Sequence, residues 1–384
     1  MIRRGALIWV LASALSLLFL VSACGGSKAN PFGVKSELVT NAQQPQALAF
    51  APDGRLFYAE RLTGDVRVVS ADGQLQKEPF THVKVPYLLE WGLTGLALDP
   101  EFATNHYVYI YFTQVVQTEP RITARPVVWR FTEESNRGVG RKVIVGDLPI
   151  TDIDHPGFNA NGGMHFGPDG FLYIAVGDYD VGVSQDLSLP IGKLLRVDKE
   201  DGTAPPDNPF VGEPNVDPRI FAYGFRESFN FVIQPRTGRI YGNDNTPGSC
   251  EELNLIKAGG NYGWPDVGEF PWPDCAAGQQ VKAIHLFAHK GMKPGDYLST
   301  VLAAGKEFVS GDVYTFLGDS LLVCQGDETL MRRLTLAGAD LDQVTADDVV
   351  IRDCSLDVTV NPDGVVYYSN DKEIRRLVPV KTEP

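Results

Sequence analysis

The sequence predicts an all-β chain folded as a six-bladed β-propeller. Three observations predict it. Short strand-like runs bounded by Gly, Pro, Asp and Asn fill the chain from about residue 41 onward, and almost no stretch carries a 3.6-residue apolar period. One unit recurs: ALAFAPDGRLFYAE at 47–60, MHFGPDGFLYIAVGD at 164–178 and VTVNPDGVVYYSND at 358–371, each a Pro-Asp-Gly turn with alternating apolar residues on both sides. Weaker copies at 96–112, 231–244 and 314–327 bring the count to six, with turns near Pro52, Pro100, Pro168, Pro235, Gly318 and Pro362. Small sheets that cannot bury both faces alone stack around an axis, so six such units read as radial repetition. Because the units begin inside strand pairs, the two chain ends are expected to share a closing blade. Loops at one end of the axis then converge from different blades, and that mouth is where a site is expected.

Ahead of the repeats, Arg3 and Arg4 precede an apolar run from Ala6 to Val21 that ends in Val21-Ser22-Ala23-Cys24. Charge followed by a short apolar run and small residues is a secretory signal, here over 1–23, and the closing four residues resemble a bacterial lipobox. Lipidation at Cys24 is expected, with a tether over 24–40, a propeller over 41–384, and an extracytoplasmic protein anchored to a membrane rather than embedded in it. The remaining cysteines, Cys250, Cys275, Cys324 and Cys354, fit no zinc spacing, and in an oxidising compartment they read as two disulfides. Sequence proximity pairs Cys250 with Cys275 and Cys324 with Cys354, although four cysteines allow three connectivities. A formal net charge of −14 with no basic run excludes a nucleic-acid partner.

Three segments carry more polar residues and glycine than turns need: HPGFNANGG at 155–163, FAYGFRESFNF at 221–231 and YGNDNTPGSCEELNLIKAGGNYGWP at 241–265. Together with IGKLLRVDKEDGTAPPDNPF at 191–210 and WGLTGLALDPEFATNHYVYIYFT at 91–113, they resemble the soluble quinoprotein sugar dehydrogenases, the glucose/sorbosone dehydrogenase family, over most of the chain.

The resemblance implies oxidation of a sugar hydroxyl by pyrroloquinoline quinone (PQQ), bound with calcium at the channel mouth, and an external electron acceptor. PQQ carries three carboxylates and so asks for cationic partners. Arg226 matches the family's cofactor-binding arginine, although Glu227 follows where the motif usually has Asn. Asn159 and Asn161 are assigned to the cofactor as well. The backbone oxygens of Thr246 and Pro247 stand where the family's calcium ligands stand, as suits a hard cation.

The family's base is a histidine. Counting back seven residues from Phe166 lands on Asn159, an amide that cannot take a proton, and anchoring on Asn161-Gly162-Gly163 lands on Ala160. His155, four residues upstream of Asn159, is therefore the expected base, with Asp178 beside it; His165 reads as a packed strand residue. The family's further cofactor cations correspond to Asp327, Cys354 and Leu356, with Arg332, Arg333 or Arg352 as nearby substitutes.

Two other functions fit the same fold: a propeller without catalysis that binds a carbohydrate or protein, and a calcium-dependent lactonase using Asp178, Asp244 and Asn245. Asx residues at 243–245 also fit a plain turn. Likewise, Asn261 to Trp264 fits a packing corner, with Trp264 between blades.

Overall fold

The structure is a computed structural model and describes residues 30, 32–86, 90–152, 159, 162–246, 250–265, 280–289, 291–293, 301–315 and 317–380. Cys24, His155, Asn161, Pro247 and Cys275 lie outside the described residues.

Six antiparallel sheets follow one another along the chain. Their innermost strands are Pro45–Phe50, Leu93–Leu98, Met164–Phe166, Phe231–Ile233, Ala303–Val309 and Val358–Val360. Each packs on the next and the sixth returns to the first, so the ring closes around an axis. Between blades the faces are apolar. Tyr109, Tyr111, Met164, Ile174 and Leu195, for example, form one buried cluster across the second and third blades. A β-sheet face left in water would lose this burial, and ring closure is what buries both faces of every blade.

All six expected turns join the first strand of a blade to its second, at one end of the ring. In the three Pro-Asp-Gly copies, Gly54, Gly170 and Gly364 have φ of +86°, +79° and +80°, a region that an L side chain resists. Asp53 and Asp169 accept the N–H two residues on, from Arg55 and Phe171; in the last copy Asn361 does this for Asp363.

The chain ends meet in the sixth blade, where Val34–Asn41 pairs with Glu373–Pro379 as the outermost strand. Residues 34–40, expected from the sequence to lie in a tether, belong to the propeller instead. Of that strand only Val34 is buried, which is why its apolar alternation is too weak to read. The second blade has an additional strand, Arg137–Val145, on Thr123–Glu134. This insertion contributes to the uneven spacing of the turns.

Cys324 and Cys354 form a disulfide with Cα atoms 5.1 Å apart, joining a strand of the fifth blade to the approach to the sixth. Cys250 is also disulfide-bonded.

Candidate active site at the axis mouth

At the end of the ring opposite the Pro-Asp-Gly turns lies a cavity of about 310 Å³. Its wall comes from residues that enter the innermost strands or leave the second strands. Gln44 and Gln46 lie at the start of the first inner strand, Glu90 just before the second and Glu227 before the fourth. Arg61, Asn245, Gly326 and Asp371 follow second strands, and Leu302, Ala303, Ser355 and Leu356 lead into the last two blades. Residues more than 300 positions apart thus face one space.

Arg226 stands beside this wall. Its backbone N–H and that of Glu227 both donate to the carboxylate of Asp244, at 3.0 and 2.8 Å. Asp244 ends a second strand and is fully buried, so desolvation pushes its carboxyl up to about 7 despite those two donors. The Arg226 guanidinium donates to Asn245 O at 3.1 Å and to Asp180 at 3.2 Å, and it lies 5.7 Å from the Trp264 ring centre. Its Nε is buried and has no hydrogen-bond partner among the described residues. Glu227 approaches the same guanidinium only to 3.8 Å.

The third blade supplies the opposite rim. Asp178, with no solvent exposure, follows the strand Leu172–Val176 and accepts Asn159 Nδ2 at 2.9 Å, Trp264 Nε1 at 2.6 Å, and the N–H groups of Asp180 and Gly182. Burial raises its carboxyl pKa above the ordinary value. Asn159 itself is buried at φ +54°, and its own N–H donates to Glu90 Oε2 at 2.5 Å. Of the two residues on which the alignments land, Asn159 reaches Asp178 with its amide, and Ala160 lies outside the described residues. Burial raises the Glu90 carboxyl too, opposed by that N–H and by Arg226 and Arg61.

Several expectations are corrected. Arg332 is locked between blades by Gln325, Asp347 and Ala288 O, and Arg333 by Leu317 O and Asp348, so neither replaces a cofactor cation. Leu356 lines the cavity as an apolar wall, while Asp327 pairs with His289 at 2.8 Å. Asn243 and Asp244 are strand residues rather than a turn; the Asn243 and Asn245 amides both donate to Ala303 O. Asp244 is committed to backbone donors, and of the three side chains named for a lactonase centre only Asn245 lines the cavity. Among the described residues no group of three or more His, Cys, Asp or Glu forms a metal cage. Thr246 is buried and its hydroxyl donates to Cys250 O.

His165 packs edge-on against Phe231 and pairs with Asn230 on the axis below the mouth, where burial lowers it to about 4 and keeps it neutral. Trp264 does bridge two blades, and Tyr262 stacks on Phe225 at 4.7 Å.

Glu90, Arg61, Gln44, Gln46 and Asp371 carry no motif that singles them out. Their one signal is position, since each sits at the mouth end of an inner or second strand.

The family model for glucose/sorbosone dehydrogenases matches residues 42–378. The chain belongs to that family. Among curated relatives, quinoprotein glucose dehydrogenase B of Acinetobacter calcoaceticus is 29% identical over 262 residues, 61% of this chain and 52% of that one. Aldose sugar dehydrogenase YliI of Escherichia coli is 25% identical over 348 residues, 88% and 89% of the two chains. A solved Thermus thermophilus structure, named for a candidate oxidoreductase of the glucose dehydrogenase type, superposes with a TM-score of 0.73. It is 30% identical, with 90% of this chain and 100% of that chain covered. The chain thus spans about half the length of the Acinetobacter relative and nearly all of the other two.

Proposed function

We propose that this family member oxidises a hydroxyl of an aldose or related sugar outside the cytoplasm, with PQQ and calcium at the axis mouth, anchored through Cys24 and passing electrons to an external carrier. The observation that carries the proposal is Arg226. Its buried Nε–H lacks an acceptor among the described residues, at the edge of a cavity roomy enough for a tricyclic quinone. A buried donor left unpaired costs about 1–3 kcal/mol, which a ligand carboxylate would relieve.

Around the mouth, Arg61 and Arg226 face the carboxylates of Glu90, Glu227 and Asp371. Such a wall repels a trianion on its own but suits one accompanied by a divalent cation, so the residues fit the cofactor and metal as a pair. In this reading Arg226 takes a cofactor carboxylate, and Thr246 with Pro247 offers backbone oxygens to calcium. Trp264 covers the guanidinium, and the amides of Gln44 and Gln46 supply paired donors and acceptors for sugar hydroxyls. Bound PQQ would supply the two-electron acceptor, polarised by the metal.

A second reading, a propeller that binds a sugar without oxidising it, is favoured by Asn159, an amide where one of the two alignments puts the family's base. One titration separates the two: full-length protein in detergent receives PQQ with calcium while cofactor absorbance is followed, and then a panel of aldoses. Stoichiometric binding with sugar-dependent bleaching of the quinone supports oxidation. Sugar binding without any PQQ binding at micromolar concentrations supports the second reading and ends the first.

A further inference from the structure

We infer that Glu90 receives the proton of the reacting sugar hydroxyl in the axis cavity, in place of a histidine. The inference rests on the sugar-oxidising reading above.

Three contacts carry it. Glu90 lines the cavity, and its Oε2 accepts the backbone N–H of Asn159 at 2.5 Å. The carboxylate is therefore one hydrogen bond from Asn159, on which one of the two family alignments puts the base. Asn159 itself turns its amide away to Asp178. The other Glu90 oxygen has no donor among the described residues, which leaves it for a hydroxyl entering the cavity.

The other carboxylates near the mouth are less suited. Asp178 already takes four donors on its two oxygens, Asp244 takes the N–H groups of Arg226 and Glu227, and Asp371 lies exposed at the rim. His165 is neutral and sits below the mouth with Asn230.

In the step, the sugar O–H bond breaks and its proton goes to Glu90. The hydrogen on the same carbon would leave with its electron pair, a bound ortho-quinone supplying the two-electron acceptor, and the carbon and oxygen would be left double-bonded. The sugar would lose two electrons and the acceptor would take up two. Only the carboxylate form of Glu90 can act. Burial and Asp180 raise its pKa, Arg61, Arg226 and the Asn159 N–H lower it, and Glu227 and Asp371 share the same cavity. The net shift is upward, so the active form appears above the ordinary glutamate range and is lost as pH falls.

The test compares wild-type protein with Glu90→Gln, Glu90→Asp and His155→Ala. Gln can still accept the Asn159 N–H through its carbonyl, so thermal melting should be unchanged in Glu90→Gln. With PQQ and calcium, Glu90→Gln should lose kcat by roughly 10²–10⁴-fold with KM changed only a few-fold. Glu90→Asp, with its carboxylate withdrawn by one methylene, should fall between. Without cofactor, calorimetric sugar affinity of the wild type should weaken as pH falls through the Glu90 pKa, and Glu90→Gln should lose that dependence.

Retention of kcat within tenfold in Glu90→Gln overturns the inference while leaving sugar oxidation standing. So does loss of kcat in His155→Ala alone. A wild type that binds sugar with the expected pH dependence but reduces no quinone overturns the sugar-oxidising reading, and the proton-acceptor role falls with it.

Discussion

Glu251 offers the most direct test of how the mouth is held. It immediately precedes the third strand of the fourth blade, is almost wholly buried, and accepts the N–H groups of Val301 and Leu302 on one oxygen at 2.6 and 2.8 Å. Those two residues lead into the fifth inner strand, and Leu302 lines the cavity. Desolvation pushes the Glu251 carboxyl from 4.5 up to about 7, with Asp327 adding to the rise while the two N–H donors and His289 oppose it. Because the folded pKa is the higher one, the protonated form favours folding below pH 4.5, and that contribution is lost as pH climbs through 7. At 1.36 kcal/mol per unit, the loss amounts to about 3 kcal/mol. Gln in place of Glu251 keeps an oxygen for both N–H groups and carries no charge to desolvate. Glu251→Gln should be within about 1 kcal/mol of wild type at pH 5 and about 2 kcal/mol more stable at pH 8, measured by urea denaturation at both. Taking the difference at each pH cancels other titrations, save the coupling to His289 and Asp327. A variant that is less stable at pH 8, or a difference that does not move with pH, would refute burial as the cause.

Other perturbations follow from the same contacts. Replacing both Cys324 and Cys354 with Ala removes a link across 30 residues, which the loop-entropy relation values at about 3.6 kcal/mol, and denaturation with and without reductant measures it. Arg226→Lys keeps the charge but loses the guanidinium fork, so PQQ affinity with calcium should fall at least tenfold by fluorescence titration while the melting temperature holds. Trp264→Phe removes the Nε1–H donor to Asp178, a charge-assisted bond worth about 1.5–3 kcal/mol, and thermal denaturation should show a loss of that order.

The ring was legible in the sequence because a propeller repeats its turn chemistry. Pro-Asp-Gly must supply a positive φ at the same place in each copy, and Gly54, Gly170 and Gly364 do so. What escaped was whatever lacks repetition. Val34–Asn41 carries no strong alternation because an outermost strand is mostly in water, and Arg137–Val145 is an insertion peculiar to the second blade. Near the mouth, the structure places Arg226 beside the cavity wall and buries Asp178 at the opposite rim, two residues that were singled out by the family resemblance. Glu90 and Arg61 were not, since they reach the cavity only once six blades close and bring strand ends together.

The mouth also shows how Asp178 is held without a histidine at residue 159. Asp178 would need a partner whatever stood at residue 159, because a buried carboxylate with unfilled lone pairs is costly. Asn159 Nδ2 and Trp264 Nε1 meet that need with neutral donors, and the rim keeps its shape without an imidazole. On the proposed reading, the structural duty of holding Asp178 and the chemical duty of taking the proton fall to different residues. Asn159 performs the first through its side chain, and through its backbone N–H it fixes the carboxylate of Glu90 in the wall of the cavity. On the proposed reading the proton acceptor stands at residue 90 with both blades in place, whereas the cation positions that the family resemblance implies have no such neighbour. Leu356 is wall, Cys354 is tied in a disulfide, Asp327 is engaged by His289, and Arg332 and Arg333 are bound elsewhere. On the proposed reading, cofactor affinity more than proton transfer is therefore the property that decides whether sugar oxidation is possible here.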